Sequence, residues 1–185
     1  MENENPRGVN VDSQTVQRAL GGDRSALAQI YDACAQPIYR YHFSRVGNSA
    51  DAEDLTSQTF MAVIESLPRY QHRNNFKAWV FQLARNKLVD HFRGNHSHAE
   101  IGDWVVDPAQ GDVLETLVWD ESRTQLKSLL NSLDEEDREL LRLRYSAGLS
   151  FVEIAQLFGR KEDAVRKAIR RILDRLTIQM EAQNA

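Results

Sequence analysis

Apolar residues recur at helical spacing along most of the chain, and no stretch shows the alternating pattern of a β-strand. The clearest helical pattern spans residues 76–93, which contain neither glycine nor proline. Two apolar stripes and one polar sector run along it: Phe76, Val80 and Leu83; Phe81, Leu88 and Phe92; and Gln82, Arg85, Asn86 and Arg93. A helix with this pattern packs between other helices and presents a charged edge to an anion.

Similar patterns predict further helices on both sides of this one, separated by glycine, proline and polar turns. They are expected over residues 13–20, 23–46, 49–67, 119–132, 134–147, 150–158 and from 162 onward. Pro37 should kink or break the second helix, and Ser49 should cap the third. The third helix is expected to bury Ile64 with its other apolar residues and to end at Pro68.

The last two predicted helices are arranged as a helix-turn-helix. Ser150 and Glu153 match a capping box, in which the hydroxyl and the carboxylate each satisfy a backbone N–H. Gly159 supplies the turn, and the second helix is long enough to occupy a major groove. Its inward positions are predicted to be Val165, Ile169, Ile172, Leu173 and Leu176.

Charge is unevenly distributed along the chain, although the total is modest. The formal net charge is −4, which by itself argues against binding to nucleic acid. Residues 69–93 and 160–175 are nevertheless strongly basic, and residues 94–125 are strongly acidic. Two basic helical units joined by an acidic linker predict contact with nucleic acid at two places.

Composition and sequence pattern exclude several other classes of protein. The chain is 42% hydrophobic and 27% charged, which is typical of globular structure. No apolar run approaches the ~20 residues of a membrane span, and the N-terminus lacks the pattern of a secretory signal. The one cysteine, Cys34, cannot form an internal disulfide, which fits a reducing cytosol. We therefore expect a cytoplasmic protein without membrane insertion, in which residues 1–11 are disordered.

The outward face of the last helix carries cations that repel one another unless an anion is bound. Arg166 and Arg170 lie four residues apart, and so do Lys167 and Arg171. Contacts with phosphate offset this repulsion and add affinity through counterion release. Arg166 and Lys167, near the helix start, are positioned to reach guanine edges.

The first turn of the same helix is acidic. Glu162 and Asp163 suit the positive end of the helix dipole, or could accept a hydrogen bond from cytosine N4. The alternative for this module is a basic helix in a protein-binding bundle. Turn, cap and charge occur together here, and the combination favours DNA.

Three segments of the chain carry motifs that occur together in one known family. Residues 51–60 read DAEDLTSQTF, similar to an AEDLxQxxF segment, and residues 76–93 are similar to an FxxWLxxIARNxxxDxxR helix. The C-terminal match comprises residues 140–145, 148–150, 153–155 and Val165. In this order and at these separations the motifs are specific. The chain resembles the extracytoplasmic-function (ECF) group of bacterial sigma factors over almost its whole length.

The resemblance implies an all-α protein with two small helical domains joined by a flexible acidic linker. Residues 12–94 would form an N-terminal domain that binds core polymerase and recognises and melts the −10 promoter element. Residues 95–118 would form the linker and thread the polymerase near the active-site cleft and RNA exit path. Residues 119–182 would form a C-terminal helix-turn-helix domain that reads the −35 element.

The same resemblance implies three groups of site residues. Those that would contact core polymerase are Asp51, Glu53, Asp54, Gln58 and Phe60. Those that would bind the −10 element are Arg69, His72, Arg73, Asn74, Asn75, Lys77, Arg85, Asn86 and Arg93. Those that would bind the −35 element are Ser150, Lys161, Glu162, Asp163, Arg166, Lys167, Arg170 and Arg171. Trp79 is expected to be a core anchor and not a stacking platform for a base.

The implied function is that of an alternative sigma factor directing promoter recognition and transcription initiation in a stress or signal response. Its implied partners are bacterial RNA polymerase core, promoter DNA and an anti-sigma factor, and neither a cofactor nor an enzymatic activity is expected. The chain departs from the family at Lys161 and Ala164, where Ser or Thr is frequent, and at Ala168, where Arg is frequent. These departures concern the promoter sequence that is read, and not the class of protein.

Two other functions remain to be distinguished. A helix-turn-helix transcriptional regulator would bind DNA independently of core polymerase. A metalloenzyme could use His91, His96 and His98 with linker carboxylates, but a His-x-His pair without a recognisable further ligand is a weak pattern.

Overall fold

A computed structural model describes residues 11–71, 75–94 and 120–183 of the chain. These ranges contain eight α-helices and no β-strand, which confirms the predicted all-α class for the described part of the chain. The helices are α1 Ser13–Leu20, α2 Arg24–Val46, α3 Ser49–Ser66, α4 Phe76–Gly94, α5 Asp120–Asn131, α6 Glu135–Leu141, α7 Phe151–Phe158 and α8 Glu162–Gln183. The acidic linker predicted over residues 95–118 lies outside the described residues.

Helix α2 is the centre of the N-terminal group, which comprises α1 to α4. It buries Ile30, Cys34, Ile38 and Tyr41 and packs against each of the other three helices. The C-terminal group, α5 to α8, buries leucines and isoleucines from all four of its helices. The buried residues of both groups belong to one continuous apolar cluster, because α7 packs on α4 and the turn Arg142–Ser146, which follows α6, packs on α2.

Two predictions about helix ends and interruptions are corrected by the structure. Helix α2 continues through Pro37, which excludes the break that was expected as the alternative to a kink, because buried residues on both sides of the proline hold the two halves against the same core. Asn48, and not Ser49, caps α3: its side-chain oxygen accepts from the Asp51 N–H at 2.8 Å. Helix α3 ends at Ser66, and Pro68 sits in a 3₁₀ turn over Leu67–Arg69.

Two residues predicted to be buried are exposed instead. Ile64 on α3 is 58% exposed and Leu173 on α8 is 38% exposed. On α3 the neighbouring Met61 is also exposed, so this helix presents an apolar outer face. The inward positions Val165, Ile169, Ile172 and Leu176 of α8 are buried as predicted.

The connection from α6 to α8 contains three distinct backbone features. Residues Arg142–Ser146 form a π-helical turn, in which the Ala147 N–H donates to the Arg142 carbonyl at 2.9 Å. The predicted capping box is confirmed: Glu153 N–H donates to Ser150 Oγ at 3.2 Å, and Ser150 N–H donates to Glu153 Oε2 at 2.6 Å. Gly159 has a φ of 62°, a left-handed conformation that favours glycine, and it ends α7.

His42 on α2 is fully buried and neutral. The Thr59 hydroxyl donates to the Leu55 carbonyl at 2.8 Å, so it accepts from His42 Nε2, which lies 3.2 Å away. Nδ1 of His42 has no hydrogen-bond partner among the described residues. Burial, and to a smaller extent the nearby His91, lower the pKa of His42 from its ordinary value of 6.5 to about 3.

We expect the free energy of unfolding to fall as the pH drops from about 6.5 towards 5. In this window the unfolded chain protonates His42 while the folded chain keeps it neutral, so acid stabilises the unfolded state. The loss attributable to His42 has an upper limit of about 1.4 kcal/mol per pH unit. Urea denaturation at a series of pH values measures it.

The His42→Gln variant is the matched control, because it retains an N–H donor for Thr59 and does not titrate. Its unfolding free energy should depend less on pH in this window by about one proton. An unchanged dependence would show that another group causes the acid sensitivity.

Candidate nucleic-acid interface

The predicted −35 residues on α8 form one exposed basic face. Lys167, Arg170 and Arg171 are exposed on this helix, and Lys161 is exposed immediately before it. The opposite face is buried through Val165, Ile169 and Ile172, and this burial fixes which side of α8 meets solvent. The arrangement is a cationic helix surface that an extended polyanion can approach without displacing any part of the core.

The acidic first turn of α8 is used partly within the helix. Glu162 forms an ion pair with Arg166, one turn further along, while the side chain of Arg166 remains 52% exposed. Asp163 is exposed. The predicted −35 residue Ser150 uses its hydroxyl to accept from Glu153 in the capping box, so its clearest role in the structure is to start α7.

Two residues that the sequence analysis missed lie beside Arg166. The guanidinium carbon of Arg166 is 4.8 Å from the centre of the Phe151 ring, and that of Arg144 is 4.5 Å from the same ring. Arg144 lies in the largely apolar stretch 140–145, where no helical spacing of charges distinguishes it. The pattern around Phe151 indicates only a core residue. Arg166 meets Phe151 because the turn at Gly159 brings α8 back along α7.

The predicted −10 residues that the structure describes divide into three sets. Arg69, Asn86 and Arg93 are exposed. Asn75 is half-buried and its side-chain oxygen accepts from the Ala78 N–H at 3.2 Å, so it also caps the start of α4. The remaining described cations of the set, Lys77 and Arg85, face the C-terminal group. His72, Arg73 and Asn74 lie outside the described residues.

Lys77 is held against the start of α7. Its Nζ lies 3.9 Å from Glu153 Oε2 and 3.4 Å from the Gly148 carbonyl oxygen, and its side chain is only 11% exposed. The predicted core anchor Trp79, two residues along α4, is partly buried and packs against Tyr70 and Phe76. Lys77 therefore joins the two groups of helices at the start of the first helix of the predicted helix-turn-helix.

Arg85 is held by a buried carboxylate. Its Nε lies 3.8 Å from Glu139 Oε1, and its guanidinium carbon is 5.3 Å from the centre of the Phe158 ring. Glu139, on α6, is 5% exposed. It also accepts a hydrogen bond from the Tyr41 hydroxyl at 2.6 Å and lies 3.9 Å from Arg45 Nη1. Three N-terminal side chains thus meet one C-terminal carboxylate.

The charges around Glu139 form a connected group. Burial, and then the adjacent Glu139 carboxylate, raise the pKa of Tyr41 well above its ordinary value, so the phenol stays protonated and donates. Arg45 also pairs with Glu135, and Arg142 Nη1 lies 3.3 Å from the same Glu135 carboxylate. Burial lowers the pKa of Arg142 to about 10, which leaves it cationic at neutral pH. A cavity of about 260 Å³ opens beside these groups.

The predicted polymerase-binding residues lie on α3. Glu53 and Asp54 are exposed, Asp51 and Gln58 are half-buried, and Gln58 Nε2 donates to Asp54 at 2.6 Å. Phe60 is different, because it is 7% exposed and its ring packs against Tyr31 with centres 4.6 Å apart and planes inclined by 51°. The exposed apolar groups of α3 are therefore Met61 and Ile64.

The described residues offer neither a metal site nor a membrane-spanning helix. They contain no group of three or more His, Cys, Asp or Glu side chains arranged to hold a metal ion. His96 and His98, from the metalloenzyme alternative, lie outside them. No described helix combines the length and apolar character needed to cross a membrane.

Comparison with known families identifies both helical groups. A family model described as sigma-70 region 2 matches residues 30–98, and one described as sigma-70, region 4 matches residues 123–176. The chain is 31% identical over 169 residues to the ECF RNA polymerase sigma factor SigD of Mycobacterium tuberculosis, covering 87% of this chain and 80% of SigD. The chain belongs to the ECF sigma factor family.

A second relative gives the same family. The ECF RNA polymerase sigma factor BldN of Streptomyces coelicolor is 32% identical over 161 residues, covering 83% of this chain. The sigma factor described here spans 60% of the length of BldN. The prediction of an alternative sigma factor in promoter recognition is thereby confirmed, and it is favoured over a helix-turn-helix regulator that acts without polymerase.

Solved structures share the fold of this sigma factor. CnrH in complex with the cytosolic domain of CnrY matches with a TM-score of 0.64 and 22% identity, covering 94% of this chain and 99% of that chain. The sigma factor RpoE in complex with the anti-sigma factor NepR, from Bartonella quintana, matches with a TM-score of 0.61 and 22% identity, covering 83% and 96%.

We expect Glu139→Ala to weaken the contact between the two helical groups of the free sigma factor. The substitution leaves the Tyr41 hydroxyl and the cations near Glu139 without their shared carboxylate, and removing one partner of a buried pair costs about 3–5 kcal/mol. Small-angle scattering should report a larger radius of gyration.

Glu136→Ala is the matched control for this experiment. Glu136 is on the same helix, but its pair with Arg160 is exposed and lies within the C-terminal group. The radius of gyration should stay at the wild-type value. Equal radii for wild type and Glu139→Ala would show that the Glu139 contacts do not hold the groups together.

Proposed function

We propose that this sigma factor contacts a promoter at two places while bound to bacterial RNA polymerase core. The single observation that supports it best is the exposed cationic face of α8, carried by a capped helix-turn-helix. Such a helix docks in the major groove, with basic side chains on phosphates and its N-terminal residues at base edges. The predicted boundaries, 12–94 and 119–182 with a linker at 95–118, are part of the proposal.

In this proposal the −35 element is read by the start of α8. Arg166 and Lys167 face the bases, with Glu162 and Asp163 beside them, because the recognition helix enters the groove by its N-terminal turns. The remaining cations contact backbone phosphate and supply affinity that depends on salt; they are Lys161, Arg170 and Arg171. Ser150 contributes by fixing the start of α7.

The −10 element is proposed to bind α4 and the segment that precedes it. Exposed Arg69, Asn86 and Arg93 are open to DNA, and His72, Arg73, Asn74 and Asn75 belong to the same predicted surface. Arg85 lies 3.8 Å from Glu139, but its side chain is already 40% exposed. Lys77, whose side chain is 11% exposed, becomes free only when α4 parts from α7, because Glu153 and the Gly148 carbonyl hold it there. This explains in residue terms why a sigma factor would need core polymerase before it binds this element.

The surface proposed for core polymerase is the outer face of α3. Asp51, Glu53, Asp54 and Gln58 supply charge and hydrogen bonds, and Met61 and Ile64 supply apolar area at the same helix face. Phe60 supports this surface from beneath by packing against Tyr31, and does not itself contact the partner. A mixed apolar and acidic helix face is typical of a protein-binding surface.

We further propose that an anti-sigma factor binds this protein and holds it inactive; the sigma factor RpoE of Bartonella quintana, which shares the fold, was solved in complex with the anti-sigma factor NepR. The protein would act in the cytoplasm, at the nucleoid when active. Neither a catalytic residue nor a cofactor is assigned, since sigma factors act by binding and positioning.

Transcription in vitro tests the proposal directly. Purified sigma factor is added to bacterial core polymerase with genomic DNA fragments, and transcript starts are sequenced. We expect starts that share a −10 and a −35 element and that vanish when the sigma factor is omitted. Scattered starts identical with and without it would overturn the proposal. Tight promoter binding without polymerase would favour the independent regulator.

Salt dependence tests the assignment of the phosphate contacts. Arg170→Ala should weaken holoenzyme binding to all promoters alike and reduce the slope of log affinity against log salt by about one. Lys127→Ala, an exposed cation on α5, is the matched control and should leave the slope unchanged. The assignment fails if Arg170→Ala has the wild-type slope.

A further inference from the structure

We propose that Phe151 is a positioning residue, whose ring fixes the Arg166 guanidinium for reading one base pair of the −35 element. The inference rests on the proposed function, because it assumes that α8 is the reading helix. It adds a residue, Phe151, that touches neither DNA nor polymerase in that proposal, and a second cation, Arg144, that shares the same ring.

The geometry brings three parts of the C-terminal group together. Phe151 is the first residue of α7, Arg166 is in the second turn of α8, and Arg144 is in the π-helical turn before α7. Both guanidinium carbons lie within 5 Å of the ring centre, inside the ~6 Å range of a cation–π interaction. Phe151 is half-buried and packs against the core, so the ring itself is held.

Stacking uses the face of a guanidinium and leaves its edge for hydrogen bonds. Arg166 gives part of its edge to Glu162, and the side chain as a whole is half exposed. Ring and carboxylate together restrict the rotation of a long side chain before DNA arrives. Ordering a side chain in advance removes an entropic penalty from binding, and a planar fork so fixed can pair with guanine O6 and N7.

Arg144, the second cation on this ring, is also held in place. Its Nη1 donates to the Leu149 carbonyl at 2.8 Å, which ties this cation to the backbone just before the capping box.

The experiment compares variants of the full chain in the polymerase holoenzyme. Phe151→Leu keeps apolar volume but removes the ring, and Phe151→Tyr keeps the ring. Binding is selected from a promoter library randomised through the −35 element, once the wild-type element has been mapped. Phe158→Leu is the matched control, because it removes the other arginine-flanked ring of α7, whose partners Arg85 and Arg160 lie outside α8.

We expect Arg166→Ala to abolish base preference at one −35 position. Phe151→Leu should reduce preference at that same position about two- to fivefold, the size of an exposed cation–π contact. Phe151→Tyr should restore it, and Phe158→Leu should leave it unchanged. Equal loss at every position, or failure of Phe151→Tyr to restore it, would show a merely structural role and overturn the proposal.

Nuclear magnetic resonance of the free protein separates the geometry from the function. The Arg166 Nε–H resonance should carry a ring-current shift in wild type and Phe151→Tyr that disappears in Phe151→Leu. If this shift is absent from wild type, the stack is wrong whatever the promoter data show. If the shift is present but wild-type holoenzyme selects no −35 sequence, the proposed function fails and the reading role fails with it.

Discussion

The arrangement of the two groups of helices depends on one carboxylate that is buried between them. Glu139 belongs to α6, but the Tyr41 hydroxyl and the cations nearest to it, Arg45 and Arg85, come from α2 and α4. A carboxylate at 5% exposure is tolerated only when donors and cations replace the lost water. The two groups therefore have to meet in one orientation, and the shared apolar cluster fills the space around the contact.

This contact divides the cations of the chain into two populations. Lys167, Arg170 and Arg171 of α8 project into solvent because the apolar stripe of this helix is buried within the C-terminal group. Lys77 and Arg85 of α4 instead neutralise acidic residues of the opposite group. Both populations look alike along the sequence, since each is a basic residue on an amphipathic helix. Only the partner across the interface distinguishes a cation that is ready for phosphate from one that is engaged.

The helices were predictable because their information is local. Periodicity gave α1 over 13–20 as observed, and the capping box at Ser150 rests on residues three positions apart. The continuation through Pro37 was not predictable, since burial on both sides of the proline overrides the missing N–H. Ile64 and Leu173 fit an apolar stripe but lie at its edge, where a side chain is buried only if the neighbouring helix extends far enough to cover it.

The candidate site was predictable in part. The basic face of α8 follows from spacing alone, whereas the engagement of Arg85 depends on Glu139, which lies far along the chain beyond the acidic linker. The stack of Arg144 and Arg166 on Phe151 depends on how three segments fold back on one another. Long-range pairs of this kind leave no periodic signal in a single sequence. Family motifs identify positions but do not show which residue each side chain contacts.

The number of residues in the π-helical turn Arg142–Ser146 affects the direction in which the following side chains point. Such a turn accommodates one residue more than regular α-helix, and each residue of an α-helix advances the direction of its side chain by about 100°. Loss of a single residue there would re-aim Arg144 and the segment that follows while leaving every amino acid of the reading helix intact. If α8 reads the −35 element as proposed, insertions and deletions at this turn would alter promoter choice without changing any DNA-contacting residue.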